Sequence, residues 1–380
     1  MKLIPFNKPY FTGKEITFIQ EAFNNQRISG DGPFTKKCHQ FFEDKYGFKK
    51  VLLTTSCTDA LEMAAILLDI KEGDEIIMPS YTFVSTANPF ALRGAKIIFC
   101  DSQESNPNMD VNTIENLITS KTKAIIPVHY AGIACDMNEI MALANKHNLF
   151  VVEDAAQCID SYYKEKPIGS VGHLAAFSFH ETKNMICGEG GMLVINDPQF
   201  IERAEIIREK GTNRSQFFRG EIDKYGWVDI GSSFLPSDMI AAFLYAQCLS
   251  LDSIQKKRIE IWNSYYEYLK KLENKKLITL PYLPDFAYNN GHIFYIVCKD
   301  LNERTELIKE LKNNNISSVF HYLSLHKSDY YINKHDGRNL PNADKFTDCL
   351  LRLPMFYELD NDSIKQVCDV IINFYTSKSK

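Results

Sequence analysis

"LAAFSFHETKNMICGEGG", Leu174 to Gly191, runs from an apolar stretch through a lysine into a glycine-rich tail. Leu174 to Phe177 reads as a buried strand, and the small polar cluster Ser178 to Asn184 begins where that strand ends. A lysine there is either a surface cation carried inward or a reactive amine. Residues elsewhere in the chain decide between the two.

Outward from this stretch the layout repeats. Strand candidates lie at Val51–Thr54, Glu75–Met78, Lys96–Cys100, Ala124–Val128, Leu149–Glu153, Leu174–Phe179 and Met192–Ile195. Helical patterns separate several of them, as at Met137–His147 after Asp136. Strands apolar on both faces that alternate with helices predict an α/β fold, a mainly parallel sheet covered by helices. "TGKEITFIQEAF" opens a helix with Thr12 and Glu15 at capping-box spacing, then Ile16, Ile19 and Phe23 on one face. A second helix is expected over Pro33–Tyr46, stopping at Gly47. A long helical pattern, Ser237 to Leu272, leads to shorter strands in "IFYIVCK" and "SSVFHY" and to helices at Glu303–Lys312 and Ser363–Phe374. The expected division is a large domain, 1–245, and a smaller C-terminal α/β domain, 246–380.

Composition narrows the function classes. With 380 residues and 45% apolar content, the chain can bury a large core. A net charge of -5 argues against nucleic acid as the main partner. No apolar run reaches bilayer length, and "MKLIPFNKPYF" lacks the apolar centre of a signal peptide. Ten cysteines occur without a C-x-x-C pair or a Cys/His cluster at zinc spacing. They read as buried thiols of a cytoplasmic protein without a metal.

A lysine amine becomes nucleophilic when burial or a nearby cation lowers its pKa. In a large α/β enzyme the commonest use is a Schiff base with pyridoxal phosphate (PLP). That cofactor needs the lysine, an acid at its pyridine nitrogen, a phosphate site and a flat group on the ring. "VVEDAAQ" offers Asp154 at a strand's carboxyl end, where open α/β sheets bind ligands. It equally fits a helix N-cap. Gln157 in the same motif is a candidate for the ring oxygen, or a surface glutamine. "TTSCTDALEMAA" turns from strand to helix with Thr, Ser and Thr at the turn, an anion site or simple capping. It lacks the Gly and Gly-Lys of a nucleotide-triphosphate loop. Ser178 offers another phosphate hydroxyl. "MPSYTFVSTAN" offers Tyr81 and Phe83 as the flat group, or as core.

The order of these pieces resembles the sugar-nucleotide aminotransferases of the DegT/DnrJ/EryC1/StrS family. The resemblance runs from "IPFNKP" to "LRLPMFYEL" and includes "IPVHYAG", "EKGTNRSQFFRGEIDKYGWVDIGSS" and "HYLSLH". It implies the fold type I architecture of PLP enzymes, with Lys183 as the Schiff-base lysine and Asp154 as partner of the pyridine nitrogen. It implies Gln157 near the ring oxygen, Ser178, Thr58 and the amide of Asp59 on the phosphate, and Phe83, ahead of Tyr81, in the stacking position. Tyr322 is implied in the sugar pocket. Some family members are dehydratases with histidine in place of the lysine, so Lys183 favours transamination. A homodimer with active sites at the interface is implied. Many relatives there reach the neighbouring subunit's phosphate with an asparagine, where this chain has Ser233 in "GSSFLP".

Within the family the resemblance is to members that move the amino group of L-glutamate to C4 of dTDP-4-keto-6-deoxy-D-glucose. The product is dTDP-4-amino-4,6-dideoxy-D-galactose, for a polysaccharide antigen. Lys210, Arg214 and Arg219 are candidates to meet the diphosphate, and Phe217, Phe218, Tyr225 and Trp227 to meet the base or sugar; a solvated, self-anchored loop is the plainer alternative. Another keto sugar nucleotide, a PLP lyase using Cys187, and a non-catalytic PLP-fold binding protein are the rival readings. The sequence singles out no arginine for the glutamate carboxylate.

Overall fold

Seven short apolar strands meet in one sheet: β1 (Val51–Thr54), β2 (Glu75–Pro79), β3 (Lys96–Cys100), β4 (Thr122–Ile125), β5 (Phe150–Asp154), β6 (Leu174–Ser178) and β7 (Gly191–Ile195). Their order is β1-β7-β6-β5-β4-β2-β3. The pairs β2–β3, β2–β4, β4–β5 and β5–β6 are parallel, and only β7 runs against its neighbours β6 and β1. The carboxyl ends of the other six strands therefore share one edge. β1, β2 and β7 are buried along their whole length, as strands covered by helices on both faces require. The computed structural model, which describes residues 3–377, thus has the mainly parallel α/β fold expected from the sequence.

Local signals set most boundaries. The Pro33–Tyr46 helix has proline in its first turn and ends at Gly47 in the left-handed region, φ 66°. Asp136 caps the Met137–His147 helix. Two readings are corrected. The first helix spans Glu15–Asn24, but Ile16 and Phe23 are exposed while Glu15 and Ala22 are buried. Glu15 is held inward, its carboxylate taking the N–H groups of Thr12 (2.7 Å) and Gly13 (2.9 Å) and the amide of Gln247 (2.8 Å), while Ile19, with Phe18, packs on the core as expected. The long helical pattern is two helices, Asp238–Cys248 and Leu251–Asn274. The break lets the first pack on the two N-terminal helices and the second on the C-terminal helix, Asn361–Ser377.

A second core gathers Ile4 with residues between Ile261 and Tyr375 around a two-stranded sheet, β8 (Tyr295–Val297) and β9 (Leu350–Arg352). "SSVFHY" is not a strand; only Val319 bridges to Arg352. Among the described residues no helix is long and apolar enough to cross a membrane.

Gly191 lies opposite Thr54 on β1 and Ser178 on β6. A Cβ there would stand 2.3 Å from the Ser56 carbonyl carbon and 2.4 Å from the Cys57 nitrogen. Both are backbone atoms and cannot swing aside. Gly191→Ala should lower unfolding free energy by about 1–3 kcal/mol. Denaturant titration checks this; an unchanged midpoint would show that the turn after β1 moves freely.

Candidate active site

The carboxyl edge of the sheet opens into a cavity of about 570 Å³. Each strand delivers a different group. After β1, Ser56 caps the Cys57–Leu67 helix, its Oγ accepting from the Asp59 N–H at 3.0 Å. Thr58 sits on the first turn, its Oγ1 2.9 Å from Ser85 Oγ. After β2, Phe83 precedes the Val84–Ala91 helix, whose Thr86 faces Asp154. β5 ends in Asp154 and β6 in Ser178; a short turn beyond Ser178 carries Lys183. Tyr322, which packs on the large core, and Arg352 at the end of β9 complete the lining.

Asp154 is buried, 6% exposed. Its Oδ2 accepts from Thr86 Oγ1 at 2.7 Å and its Oδ1 from the Ala156 N–H at 3.2 Å. Burial raises its pKa above the ordinary aspartate value; the Thr86 and Ala156 bonds and the Lys183 charge oppose this without cancelling it. A buried carboxylate so placed gains from a cationic ligand. Lys183 Nζ has no carboxylate partner among the described residues, so it is not held in an ion pair.

These groups fit PLP. The helix N-terminus at Ser56–Thr58, with the Ser56, Thr58 and Ser178 hydroxyls, suits a phosphate. Asp154 suits a protonated pyridine nitrogen, and Lys183 suits the aldehyde carbon.

Further bonds hold the site's shape. Gln157 Oε1 accepts from the Ala131 N–H at 2.6 Å, which turns its amide nitrogen to Tyr322 Oη at 3.2 Å. Asn184, next to Lys183, gives its amide to Gln255 (2.9 Å) and the Asn290 carbonyl (2.8 Å) and accepts from His292 Nδ1 at 2.9 Å. Burial, then the charges of Lys183, Arg258 and Arg352, push His292 well below the ordinary histidine pKa, so it is neutral.

Seven of the residues singled out in the sequence line this one cavity: Thr58, Phe83, Asp154, Gln157, Ser178, Lys183 and Tyr322. Tyr81 does not; it is buried, with its hydroxyl 2.6 Å from the His321 carbonyl. Asp59 lies outside the lining because Ser56 takes its N–H and its carboxylate accepts from Thr55. Ser233, Lys210, Arg214 and Arg219 also stand outside it. Ser233 is exposed and bridges to Glu209. Lys210 is exposed, Arg214 pairs with Glu209 (3.1 Å), and Arg219 pairs with Glu205 (2.7 Å) and Glu221 (2.6 Å). Cys187 is buried away from the cavity, and burial pushes its thiol pKa up. The sequence reading missed Thr86, His292 and Arg352. Thr86 stands one helical turn after Thr82, and Arg352 is a lone cation in the apolar run "LLRLP"; both patterns were visible.

A lysine and a buried aspartate facing a helix-end anion site at a sheet's carboxyl edge define a PLP enzyme of the transaminase architecture. The DegT/DnrJ/EryC1/StrS aminotransferase family model matches residues 9–372. The chain belongs to this family and is a PLP-dependent sugar aminotransferase. It is similar to GDP-perosamine synthase of Escherichia coli O157:H7, 31% identical over 379 residues, covering 100% of both chains. Its fold is similar to the aminotransferase from Psychrobacter cryohalolentis, with TM-score 0.93, 26% identity and full coverage of both chains. The Streptococcus pneumoniae protein Spr1654 in its PLP form gives TM-score 0.90 at 25% identity, covering 99% of each chain.

Glu153 precedes Asp154 and holds the strand end in place. Its carboxylate accepts from the N–H groups of Gly169 (2.9 Å), Val171 (3.0 Å) and Gly172 (2.6 Å) and from His129 Nε2 (3.0 Å). His129 Nδ1 in turn accepts from the Cys135 N–H, so its ring proton is on Nε2. Burial works to raise the Glu153 pKa, but the His129 bond and the Gly172 and Gly169 N–H groups win and hold it below the ordinary value. Its stabilisation is therefore complete above the unfolded pKa of about 4.3 and lost as pH falls through the lower folded value. Glu153→Gln puts an amide N–H against backbone donors in either orientation. It should cost about 2–4 kcal/mol at neutral pH and flatten the acid-side loss of stability. Denaturation curves at pH 7 and below pH 4.5 check both; a wild-type acid slope in the variant would show that another group carries it.

Proposed function

We propose that this chain transfers the amino group of L-glutamate to C4 of dTDP-4-keto-6-deoxy-D-glucose, giving dTDP-4-amino-4,6-dideoxy-D-galactose and 2-oxoglutarate. The observation that carries the transaminase chemistry is the shared cavity of Lys183, Asp154 and the Ser56–Thr58 helix end. Lys183 Nζ holds the cofactor between turnovers. The same amine would take the proton from Cα of glutamate in the first half-reaction and deliver one to C4 of the sugar in the second. Asp154 keeps the pyridine nitrogen protonated. PLP, when bound, supplies the electron sink that a lysine base alone lacks. Thr58, Ser178 and the helix end would hold the phosphate, Phe83 would stack on the ring, and Gln157 would lie near the ring oxygen. Tyr322 faces the sugar.

The working unit in this reading is a homodimer of cytoplasmic protomers with sites at the interface. Its support is the segment from Lys210 to Ser233, which stands outside its own chain's cavity with Trp227 84% exposed. There Ser233 serves the partner's phosphate, and Lys210, Arg214 and Arg219 lie toward the nucleotide. The dTDP-sugar assignment rests on resemblance in Arg208–Trp227. The similarity to a GDP-perosamine synthase makes a GDP-linked keto sugar the acceptor to compare.

Lys183→Ala should abolish turnover and the visible absorbance of bound cofactor while the fold persists. Retained transamination would overturn the assignment. Asp154→Asn should slow turnover by several orders of magnitude with modest loss of cofactor; a near-normal rate would make Asp154 a helix cap only. Light scattering should give a dimer, and Ser233→Ala should weaken cofactor retention; an active monomer would refute the interface reading. Assay with glutamate and a panel of dTDP- and GDP-linked keto sugars, with product stereochemistry by NMR, tests the substrate. A gluco product, a 3-keto preference or a GDP-sugar preference would each replace the proposed acceptor or product.

A further inference from the structure

We propose that Thr82 and Thr86 are positioning residues for the reaction: two buried hydroxyls, donating in the order Thr82 to Thr86 to Asp154, that hold the Asp154 carboxylate in place for the pyridine nitrogen. The proposal rests on the role proposed for Asp154 and adds what serves it from behind. Thr82 and Thr86 both line the cavity, and they are 2% and 1% exposed. Thr86 Oγ1 lies 2.7 Å from Asp154 Oδ2 and 2.8 Å from Thr82 Oγ1. Among the described residues Thr86 is the one side chain hydrogen-bonded to Asp154; the other bond comes from the Ala156 N–H.

Counting protons sets the direction. An ionised carboxylate only accepts, so the single hydroxyl proton of Thr86 goes to Asp154. Thr86 Oγ1 must then accept from Thr82 at 2.8 Å. A threonine inside a helix commonly donates to the carbonyl one turn back; this one is directed at Asp154 instead. Each hydroxyl polarises the next, so Thr82 strengthens the bond that Thr86 makes. Were Asp154 neutral with its proton on Oδ2, the chain would run the other way. Its direction is therefore tied to the charge of the carboxylate.

Chemistry explains why hydroxyls stand here. A cation bonded to Asp154 would compete with a protonated pyridine nitrogen for the same charge. A hydroxyl favours the ionised form without neutralising it. The titratable groups facing Asp154 are Lys183, His129 and the thiols of Cys57 and Cys158, which burial keeps protonated. None of these donates a hydrogen bond to it among the described residues. The same turn serves the rest of the site. Phe83 stands between the two threonines in sequence, and Ser85 Oγ meets Thr58 Oγ1 at 2.9 Å, at the helix end that suits the phosphate. One helix start thus supports both ends of the cofactor site.

The test reads the resting PLP-loaded enzyme first and the glutamate half-reaction second. A protonated pyridine nitrogen puts positive charge in the ring and lowers the proton affinity of the nitrogen that joins Lys183 to it. Weakening the hold of Asp154 therefore moves the pH midpoint of the visible cofactor band upward. Thr86→Val should shift that midpoint up, weaken cofactor binding about tenfold, and slow the loss of the band with L-glutamate on the order of ten- to a hundredfold. Thr82→Val, which leaves the Thr86–Asp154 bond in place, should move all three in the same direction and by less. Thr86→Ser, which keeps the hydroxyl, should recover most of each loss. In an Asp154→Asn background Thr86→Val should add little, since the charge it serves is gone. If Thr86→Val does not retain the cofactor, Thr86→Ala carries the same comparison with Thr86→Ser. An unmoved midpoint without the Thr86 hydroxyl, equal damage from Thr86→Ser, or a full Thr86→Val effect on top of Asp154→Asn overturns the proposal. An Asp154→Asn enzyme with wild-type midpoint and rate overturns the role of Asp154 itself, and this proposal with it.

Discussion

A carboxylate lies buried at the bottom of a cavity, and the strand ends of the sheet are arranged around it. Burial works against the Asp154 charge, and the Thr86 hydroxyl, the Ala156 N–H and the Lys183 and His129 side chains oppose it without cancelling it. Its backbone is fixed on both sides, N–H to the Pro127 carbonyl (2.9 Å) and carbonyl to the His129 N–H (3.2 Å). The preceding residue completes the arrangement. Alternation along β5 sends Glu153 to the opposite face, where it gathers backbone N–H groups and His129. Two adjacent acids thus do opposite work. Glu153 is fully satisfied and fixes the strand end; Asp154 is left under-satisfied and gains from a cation.

Much of this was legible in the sequence because it is local. Apolar runs between turn residues locate the seven strands, and Pro33, Gly47 and Asp136 mark helix ends through backbone chemistry that acts within a few residues. Strand ends that must fall on one edge bring Thr58, Asp154, Ser178 and Lys183 into one cavity. What was not legible depends on distant partners. The inward hold on Glu15 in the first helix comes from Gln247 reaching it across the fold. The break at Leu249–Ser250 follows from two different packing surfaces. Arg352 and His292 enter the site from the second core, so no spacing along the chain ties them to Lys183. The Lys210–Arg219 cations read as free because the sequence does not show that Glu205, Glu209 and Glu221 reach Arg214 and Arg219.

The two cores contribute different kinds of wall. The large core supplies strand and helix ends, which are rigid and hold fixed groups at fixed spacing. A relay of hydrogen bonds helps join the other wall to it. Arg352 Nε donates to Tyr130 Oη, and the hydroxyls of Tyr130 and Tyr81 both donate to the His321 carbonyl, at 2.9 and 2.6 Å. Val319, two residues before His321, exchanges backbone hydrogen bonds with Arg352 (2.9 and 3.3 Å). The segment bearing Tyr322 and the strand bearing Arg352 are therefore one unit, registered against the large core by two buried tyrosines. Such a unit can carry different cavity-lining side chains on its own hydrogen-bonded frame, while Lys183 and Asp154 are placed by the strand ends of the large core.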